Sequence, residues 1–379
     1  MSPRTGLVWH ELFMWFEQGK FAGIVAADFP VQPSRPHENP ETKRRLKNLL
    51  DASGFSEQLA PIRARAATRG ELERVHTPAY LDRLERLNDE LAGTAGLDAG
   101  LTKGGVDIAK LAAGGCIQAV DAILSRQVAN AYVLARPLGH HAEPDGGMGF
   151  CLLSNPSIAA AHALQAHGLE RVAIVDIDVH HGNGAETTWW RDPRVLTVSI
   201  HQARWFPPGR GDLSARGEGS GFGTNINIPL PAGSGIGAYW AAMERVILPA
   251  LHRYRPELLI VPCGYDAAAQ DQLGRMLLDS ESYRRLMQAF VTAAETLCAG
   301  RLLTTHEGGY NESMVPFLGL AVLESMSGSR SGVVDPYRDF FADAPGQELQ
   351  SHQLEVIAAA ARFVAEVPPL GQSAGGNAP

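Results

Sequence analysis

One stretch, Arg171 to Asn183 (RVAIVDIDVHHGN), does most to limit what this 379-residue chain can become. It opens as an apolar run, Val172-Ala173-Ile174-Val175, the pattern of a parallel strand buried on both faces. It closes on Asp176, Asp178, His180 and His181, groups that no strand interior tolerates. Residues two apart on a strand share a face, so the spacing lines Asp176, Asp178 and His180 along one side. Carboxylate and imidazole side by side, where a strand leaves the core, are the beginning of a divalent-metal site. Gly182, Asn183 and Gly184 then turn the chain into a helix expected from near Ala185. Ligands of open α/β sheets sit beyond the carboxyl ends of the strands, which is where these residues fall.

The same strand pattern recurs at Tyr132–Ala135, Leu196–Ile200, Leu258–Val261 and Leu302–Thr305. Helical patterns lie at Glu41–Leu50, Leu81–Leu91, Ile108–Leu124, Ser157–His167, Tyr239–Leu251, Ser282–Cys298 and Ser351–Val367. Strands alternating with helices predict an α/β fold: a central, mostly parallel sheet with helices on both faces. Four strand ends carry reactive groups: Arg136–His141, Asp178/His180, Cys263–Asp266 and His306–Tyr310. In a parallel sheet these ends share one edge, so side chains far apart in sequence can converge. Any one of them alone has an ordinary reading, as a helix cap, a turn or a chance pair. His162, His167 and His252 sit on helical patterns and read as surface or core residues rather than ligands. Cys151 and Cys263 read as small packing groups.

Composition narrows the function classes. Net charge is −8, and the densest basic patch, Thr42–Lys47 (TKRRLK), reads as a solvated helix face, so no nucleic-acid partner is expected. The four cysteines, Cys116, Cys151, Cys263 and Cys298, show no CxxC spacing and read as reduced thiols. The N-terminal apolar stretch is broken by His10 and Glu11, and no run approaches the ~20 residues of a membrane span. A soluble cytoplasmic protein, with no membrane partner, is the expectation. Residues 1–40 read as an irregular region with aromatics at Trp9 and Phe13–Phe16, packing on the core or lining a pocket rim or subunit contact. Gly93–Gly105 is a Gly-rich loop without the surroundings of a phosphate cradle. One domain over residues 1–367 and a disordered tail over 368–379 complete the reading.

Taken together, GHHA (139–142), GMGFC (147–151), DIDVHHGNG (176–184), GYDAAAQDQLG (264–274) and EGGYN (307–311) resemble the zinc-dependent histone deacetylase family, and most closely its bacterial histone deacetylase-like amidohydrolases. The likeness runs in the same order from about residue 20 to residue 325, and Asn183 resembles the class II branch. The resemblance implies the arginase-like three-layer α/β sandwich. It implies one Zn²⁺ (Fe²⁺ being the alternative) on Asp178, His180 and Asp266, with the fourth position open. It assigns His141 as general base and His140 as electrostatic partner, with Asp176 holding His140 and Asn183 orienting His141. It makes Tyr310 the oxyanion donor, its backbone freed by Gly308 and Gly309. Substrate contacts fall to Phe150, Phe206, Gly149, Leu273 and Asp98. A structural K⁺ falls to Asp176, Asp178, His180, Ser199 and Ile200.

Some positions depart from the family pattern. Leu138 and Gln272 stand where proline is usual, and Tyr265 where phenylalanine is usual. His306 replaces an apolar residue or Gln. None removes a ligand. The implied activity is hydrolysis of acetyl or acyl groups from Nε of acyl-lysine, in a peptide, a protein or a small acyl-amine, by a homo-oligomer. The main rival is an acetylpolyamine amidohydrolase, which needs negative charge at the tunnel mouth where this chain has Leu273. A ureohydrolase needs a denser Asp set for two metals. A silent acyl-lysine reader has no use for the full catalytic set.

Overall fold

The computed structural model describes residues 4–19, 21–22, 25–26, 32, 34–341 and 344–370. Its centre is an eight-stranded sheet among these residues: β1 (Gly6–Val8), β2 (Ala60–Ile62), β3 (Ala131–Val133), β4 (Val172–Asp176), β5 (Val195–Gln202), β6 (Asn225–Leu230), β7 (Leu258–Cys263) and β8 (Leu302–His306). The order is β6-β5-β4-β7-β8-β3-β1-β2, with every pair parallel. The central strand β4 is buried at all five positions, as its unbroken apolar run requires.

Alternate residues of β4 feed two different cores. Ala173 and Val175 belong to the core that also takes in residues of α5 (Ser280–Cys298) and α6 (Val315–Ser327). Val172 and Ile174 face α2 (Gly105–Leu124) and α3 (Asn155–Ala166). Strand period two thus makes three layers, helices on both faces of one sheet. The ala- and gly-rich α2 packs closely: a Cβ at Gly114 would strike the backbone of Arg65.

Several expectations need correction. Residues 1–40 are not wholly irregular, because Gly6–Val8 pairs on both sides inside the sheet. Phe13 and Phe16 are core residues, whereas Trp15 is 65% exposed. Much of the Pro-rich segment, residues 27–31 and 33, lies outside the described residues, as do 371–379 of the tail. Pro368 and Pro369, placed in that tail, present carbonyls to the Arg171 guanidinium at 2.7–3.2 Å. β6 was unread because Asn225, Asn227 and Pro229 interrupt its apolar residues. The helix expected over 239–251 is α4, which runs from Ile236 to Tyr254 through a π-helical turn at Met243–Ile247.

Thr42–Lys47 is not simply a solvated face. Lys43, within α1 (Glu41–Ala52), is fully buried, with its ammonium 3.7 Å from the Glu38 carboxylate. Glu38 also takes two bonds from Arg136, at 2.6 and 2.8 Å. No helix among the described residues is long and apolar enough to cross a membrane. The four cysteines are buried and unpaired.

Candidate active site

The reactive groups lie in the loops that leave the carboxyl ends of β3, β4, β7 and β8. β4 stops at Asp176, so Asp178 and His180 stand in the loop beyond it rather than on one strand face. Local hydrogen bonds do the aiming instead. Asp176 Oδ1 accepts the Asp178 N–H at 3.0 Å, and Asp178 Oδ1 accepts the His180 N–H at 2.9 Å. Asp266, brought in by the loop after β7, accepts the Val179 N–H at 2.9 Å. His180 Nδ1 then lies 3.0 Å from Asp178 Oδ1 and 3.1 Å from Asp266 Oδ2. All three residues are buried.

This cluster has the donors to hold a cation. Burial and the charge of Asp178 raise the Asp266 carboxyl to about 7. Burial opposes charge on His180, but the Asp266 and Asp178 carboxylates outweigh it and lift His180 to about 10. Asp266 Oδ2, although 3.1 Å from His180 Nδ1, receives no well-directed hydrogen bond from the described residues. The glycines around the cluster leave room: a Cβ at Gly264 would collide with Asp178, and one at Gly308 with Asp266. Two carboxylates, one imidazole and a buried oxygen without a well-directed donor fit a divalent metal of borderline softness.

Two further imidazoles adjoin the cluster, in rings 3.9 Å apart. His140 Nδ1 bonds Asp176 Oδ2 at 3.0 Å. Burial works against a proton on His140, yet Asp178 and Asp176 raise it to about 10. His141 Nδ1 lies 2.7 Å from Asn183 Oδ1. The Asn183 amide nitrogen points at the His141 carbonyl and at Glu143, so the oxygen faces the ring. An amide oxygen only accepts; Nδ1 therefore carries the proton and Nε2 presents a lone pair. Burial, then the neighbouring His140 and His180, hold His141 well below the usual imidazole range.

Of these groups His141 and His180 open onto a cavity of about 230 Å³, lined also by Asp98, Gly149, Phe150, Trp205, Phe206, Leu273 and Tyr310. Gly149 has φ +50, and a Cβ there would meet the Phe206 ring at 2.8 Å. Phe150 and Asp98 also adopt positive φ, 67° and 51°. The Phe150 N–H bonds the Asp98 carbonyl at 2.7 Å and the Gly149 N–H bonds Leu97 at 2.9 Å. Two backbone bonds thus carry the Gly-rich stretch, here a small hairpin of Ala92–Thr94 with Gly100–Thr102, to the cavity wall. Strain of this kind, ~1–3 kcal/mol per residue, is kept where surrounding structure over-determines it.

Four contributors went unassigned in the sequence. Glu307 takes the N–H groups of Gly139 and His140 at 2.8 and 3.2 Å, fixing the two-histidine turn. Asp271 takes the N–H of Tyr310 and of Leu273, both at 2.8 Å. Glu143 holds Asn183, and Trp205 bonds the Leu273 carbonyl through Nε1 at 2.6 Å. Glu307 and Asp271 lie inside motifs already quoted, but nothing in their spacing reveals backbone N–H partners. Gly309, at φ +117, supplies conformational freedom before Tyr310, whereas Gly308 supplies only room.

Ser199 pairs with Asp176 in register, and its hydroxyl accepts the Gly182 N–H at 3.3 Å. His181 turns away from the cluster, its Nε2 3.2 Å from Glu186. Asp121, His162 and His167 gather elsewhere, with Asp121 Oδ1 2.7 Å from both Nε2 atoms. Arg74 Nη1 is 3.0 Å from His162 Nδ1, and a guanidinium only donates. The His162 proton is therefore on Nε2, where a metal would have to bind, and the group is a hydrogen-bonded cluster.

A parallel-sheet edge carrying a buried two-carboxylate, one-imidazole cluster beside an apolar slot is an arrangement of the arginase/deacetylase-like α/β class that could hold a divalent ion. The histone deacetylase domain matches residues 36–326. The chain is 46% identical over 366 residues to a histone deacetylase-like amidohydrolase of Pseudomonas aeruginosa, covering 95% of this chain and 96% of the relative. It is 34% identical to a probable deacetylase of Archaeoglobus fulgidus, over 86% of each. The crystal structure of the HDA15 HD domain superposes with a TM-score of 0.83 at 29% identity, over 96% of each chain. The chain belongs to the histone deacetylase family, whose members are hydrolytic deacetylases and amidohydrolases.

Proposed function

We propose that this protein removes acetyl or related acyl groups from the Nε atom of acyl-lysine, in peptides or as a small acyl-amine. The observation that carries this reading is the proton order at His141: with Nδ1 bonded to Asn183 its Nε2 is left to accept a proton, and the ring stands 5.9 Å from that of His180 in the lining of an apolar slot. Asp178, His180 and Asp266 would hold one Zn²⁺, or Fe²⁺ in its place. That ion supplies Lewis acidity, lowering the pKa of water towards ~7 and polarising an amide carbonyl.

The chain's own groups do the rest. His141 Nε2 takes a proton from water and later returns it to the departing amine. His140, held charged by Asp176 and Asp178, stabilises negative charge that develops beside it. Tyr310, whose phenol burial keeps neutral, donates a hydrogen bond to the oxyanion. Phe150 and Phe206 flank an extended four-methylene arm and exclude water from it. Asp98 meets backbone amides at the rim. Asp176, Asp178, His180, Ser199 and Ile200 are proposed for a structural K⁺ that offsets the carboxylates behind the site.

Leu273 supports acyl-lysine over acetylpolyamines. Asp98 is the one acidic residue among those lining the cavity, and a polycation gains little there. The proposal extends to one catalytic domain over residues 1–367, the class II branch, a cytoplasmic location and a homo-oligomer. Turnover of an acetyl-lysine peptide against N-acetylputrescine tests the substrate; light scattering tests the assembly. Faster turnover of the diamine would overturn the lysine assignment.

A further inference from the structure

The strand β3, the loop after β7 and the end of β8 are joined by a buried chain of two phenols and one imidazole. The Tyr132 hydroxyl, from β3, lies 2.7 Å from the Tyr265 hydroxyl and 2.7 Å from His306 Nδ1. Tyr132 and Tyr265 have no exposed surface and His306 only 3%. The Tyr265 ring meets those of His306 and Tyr283 at a tilt, with centroids 4.8 and 5.1 Å apart. Tyr283 in turn donates to the Gly264 carbonyl at 2.9 Å.

Each member is the near neighbour of a reactive group. β3, which carries Tyr132, leads to the turn that presents His140 and His141. Tyr265 immediately precedes Asp266. His306 precedes Glu307, Gly308, Gly309 and Tyr310. The last two segments are also tied through the backbone: the Tyr265 N–H bonds the Gly308 carbonyl at 2.9 Å, and the Glu307 N–H bonds the Cys263 carbonyl at 3.0 Å. A Cβ on Gly309 would lie 2.7 Å from the Tyr265 Cβ, so the hinge before Tyr310 rests directly on Tyr265. Displacing the Tyr265 ring therefore displaces the Asp266 loop and the Tyr310 hinge together.

The Tyr132 hydroxyl is satisfied without charge, while His306 Nε2, also buried, has no partner among the described residues. Burial, and next the charge of Lys43, keep the His306 imidazole neutral. A neutral imidazole either donates to Tyr132 or accepts from it, and in both orders Tyr132 uses one proton and one lone pair. Phenylalanine at 265 or an apolar residue at 306 would leave one of these buried polar atoms without its partner.

We propose that His306 is a positioning residue, which acts through Tyr132 and Tyr265 to fix Asp266 and Tyr310 relative to each other. This rests on the roles proposed above for those two groups. The test uses the metal-loaded full-length protein and four variants: Tyr265→Phe, His306→Leu, the two combined, and His306→Gln. For each, kcat and KM on an acetyl-lysine peptide, bound metal and the thermal midpoint are measured. Tyr265→Phe and His306→Leu should each lower kcat about tenfold, the lower end of the range for residues that orient metal ligands, with KM within about twofold. The double variant should lose no more than either single one, because both interrupt one chain. His306→Gln, whose amide reaches the Tyr132 hydroxyl, should recover most of kcat.

Wild-type kcat in both single variants, a multiplicative loss in the double one, or a glutamine variant as slow as the leucine variant would overturn the proposal. If His306→Leu does not fold, Tyr132→Phe, which keeps its ring, replaces it in the same comparison. A wild-type protein that hydrolyses no acyl amide would instead refute the function on which the proposal rests, so the two failures are told apart.

Discussion

Asn183 Oδ1 and His141 Nδ1 are 2.7 Å apart, and this one contact decides which ring nitrogen can accept a proton. Replacing Asn183 with Ala removes the acceptor and frees the ring to change tautomer. Steady-state kinetics on an acetyl-lysine peptide should show kcat lower by about 10–100-fold and KM little changed. An unchanged kcat would mean that His141 is not oriented from this side.

Asp271 pins two elements of the cavity wall at once, taking the N–H groups of Tyr310 and Leu273. Asp271→Ala should therefore raise KM and lower kcat together, whereas Tyr310→Phe should lower kcat by about 10²–10³-fold with little change in KM. The contrast in the split between kcat and KM is the check. Full activity in Tyr310→Phe would remove the oxyanion assignment.

Leu273 lines the cavity, with its carbonyl held by Trp205. Leu273→Glu adds a carboxylate where a second ammonium of an acetylated polyamine would lie. The ratio of kcat/KM for N-acetylputrescine to that for an acetyl-lysine peptide should rise about tenfold or more, a difference of ~1.4 kcal/mol. An unchanged ratio would place the charge filter elsewhere on the rim.

The site was legible because each of its parts is a polar group where an apolar strand ends, a position with no structural use for it. Its wiring was less so. Asp178 and His180 were assigned one strand face, yet they stand beyond the strand, and backbone N–H groups aim them. Glu307 and Asp271 act on backbone as well, and one sequence shows no such partner. In the fold, the long apolar strands were read to within a few residues. Gly6–Val8 and Ala60–Ile62 carry little strand signal, because each is three residues long and glycine or proline stands among them. β6 was missed because its asparagines look outward in a sequence but serve Glu186, which accepts from Asn225 and Asn227 at 2.8 and 2.7 Å. Lys43 was given to solvent from its basic neighbours, and only the fold shows it beside Glu38.

That buried pair gives stability a definite pH dependence. Burial opposes charge on Glu38, but Arg136 and then Lys43 hold it down to about 2, against 4.5 for a free carboxyl. A depressed folded value means that its contribution is complete above about pH 4.5 and is lost as pH falls towards 2. At pH 7, Glu38→Gln should cost about 3–5 kcal/mol in urea unfolding, since it leaves buried cations unpaired. The gap between wild type and variant should narrow between pH 5 and pH 3. A gap that stays constant would mean that Glu38 is not ionised in the fold.

The central claim is that Asp178, His180 and Asp266 hold one catalytic metal ion. It is tested most directly by measuring hydrolysis of an acetyl-lysine peptide as the protein is stripped with chelator and then titrated with Zn²⁺. Activity should vanish on stripping and return to a plateau at one equivalent per chain, and Asp178→Asn should show neither the binding nor the return. Hydrolysis that survives in protein shown to be metal-free, or a plateau unaffected by Asp178→Asn, would contradict the account.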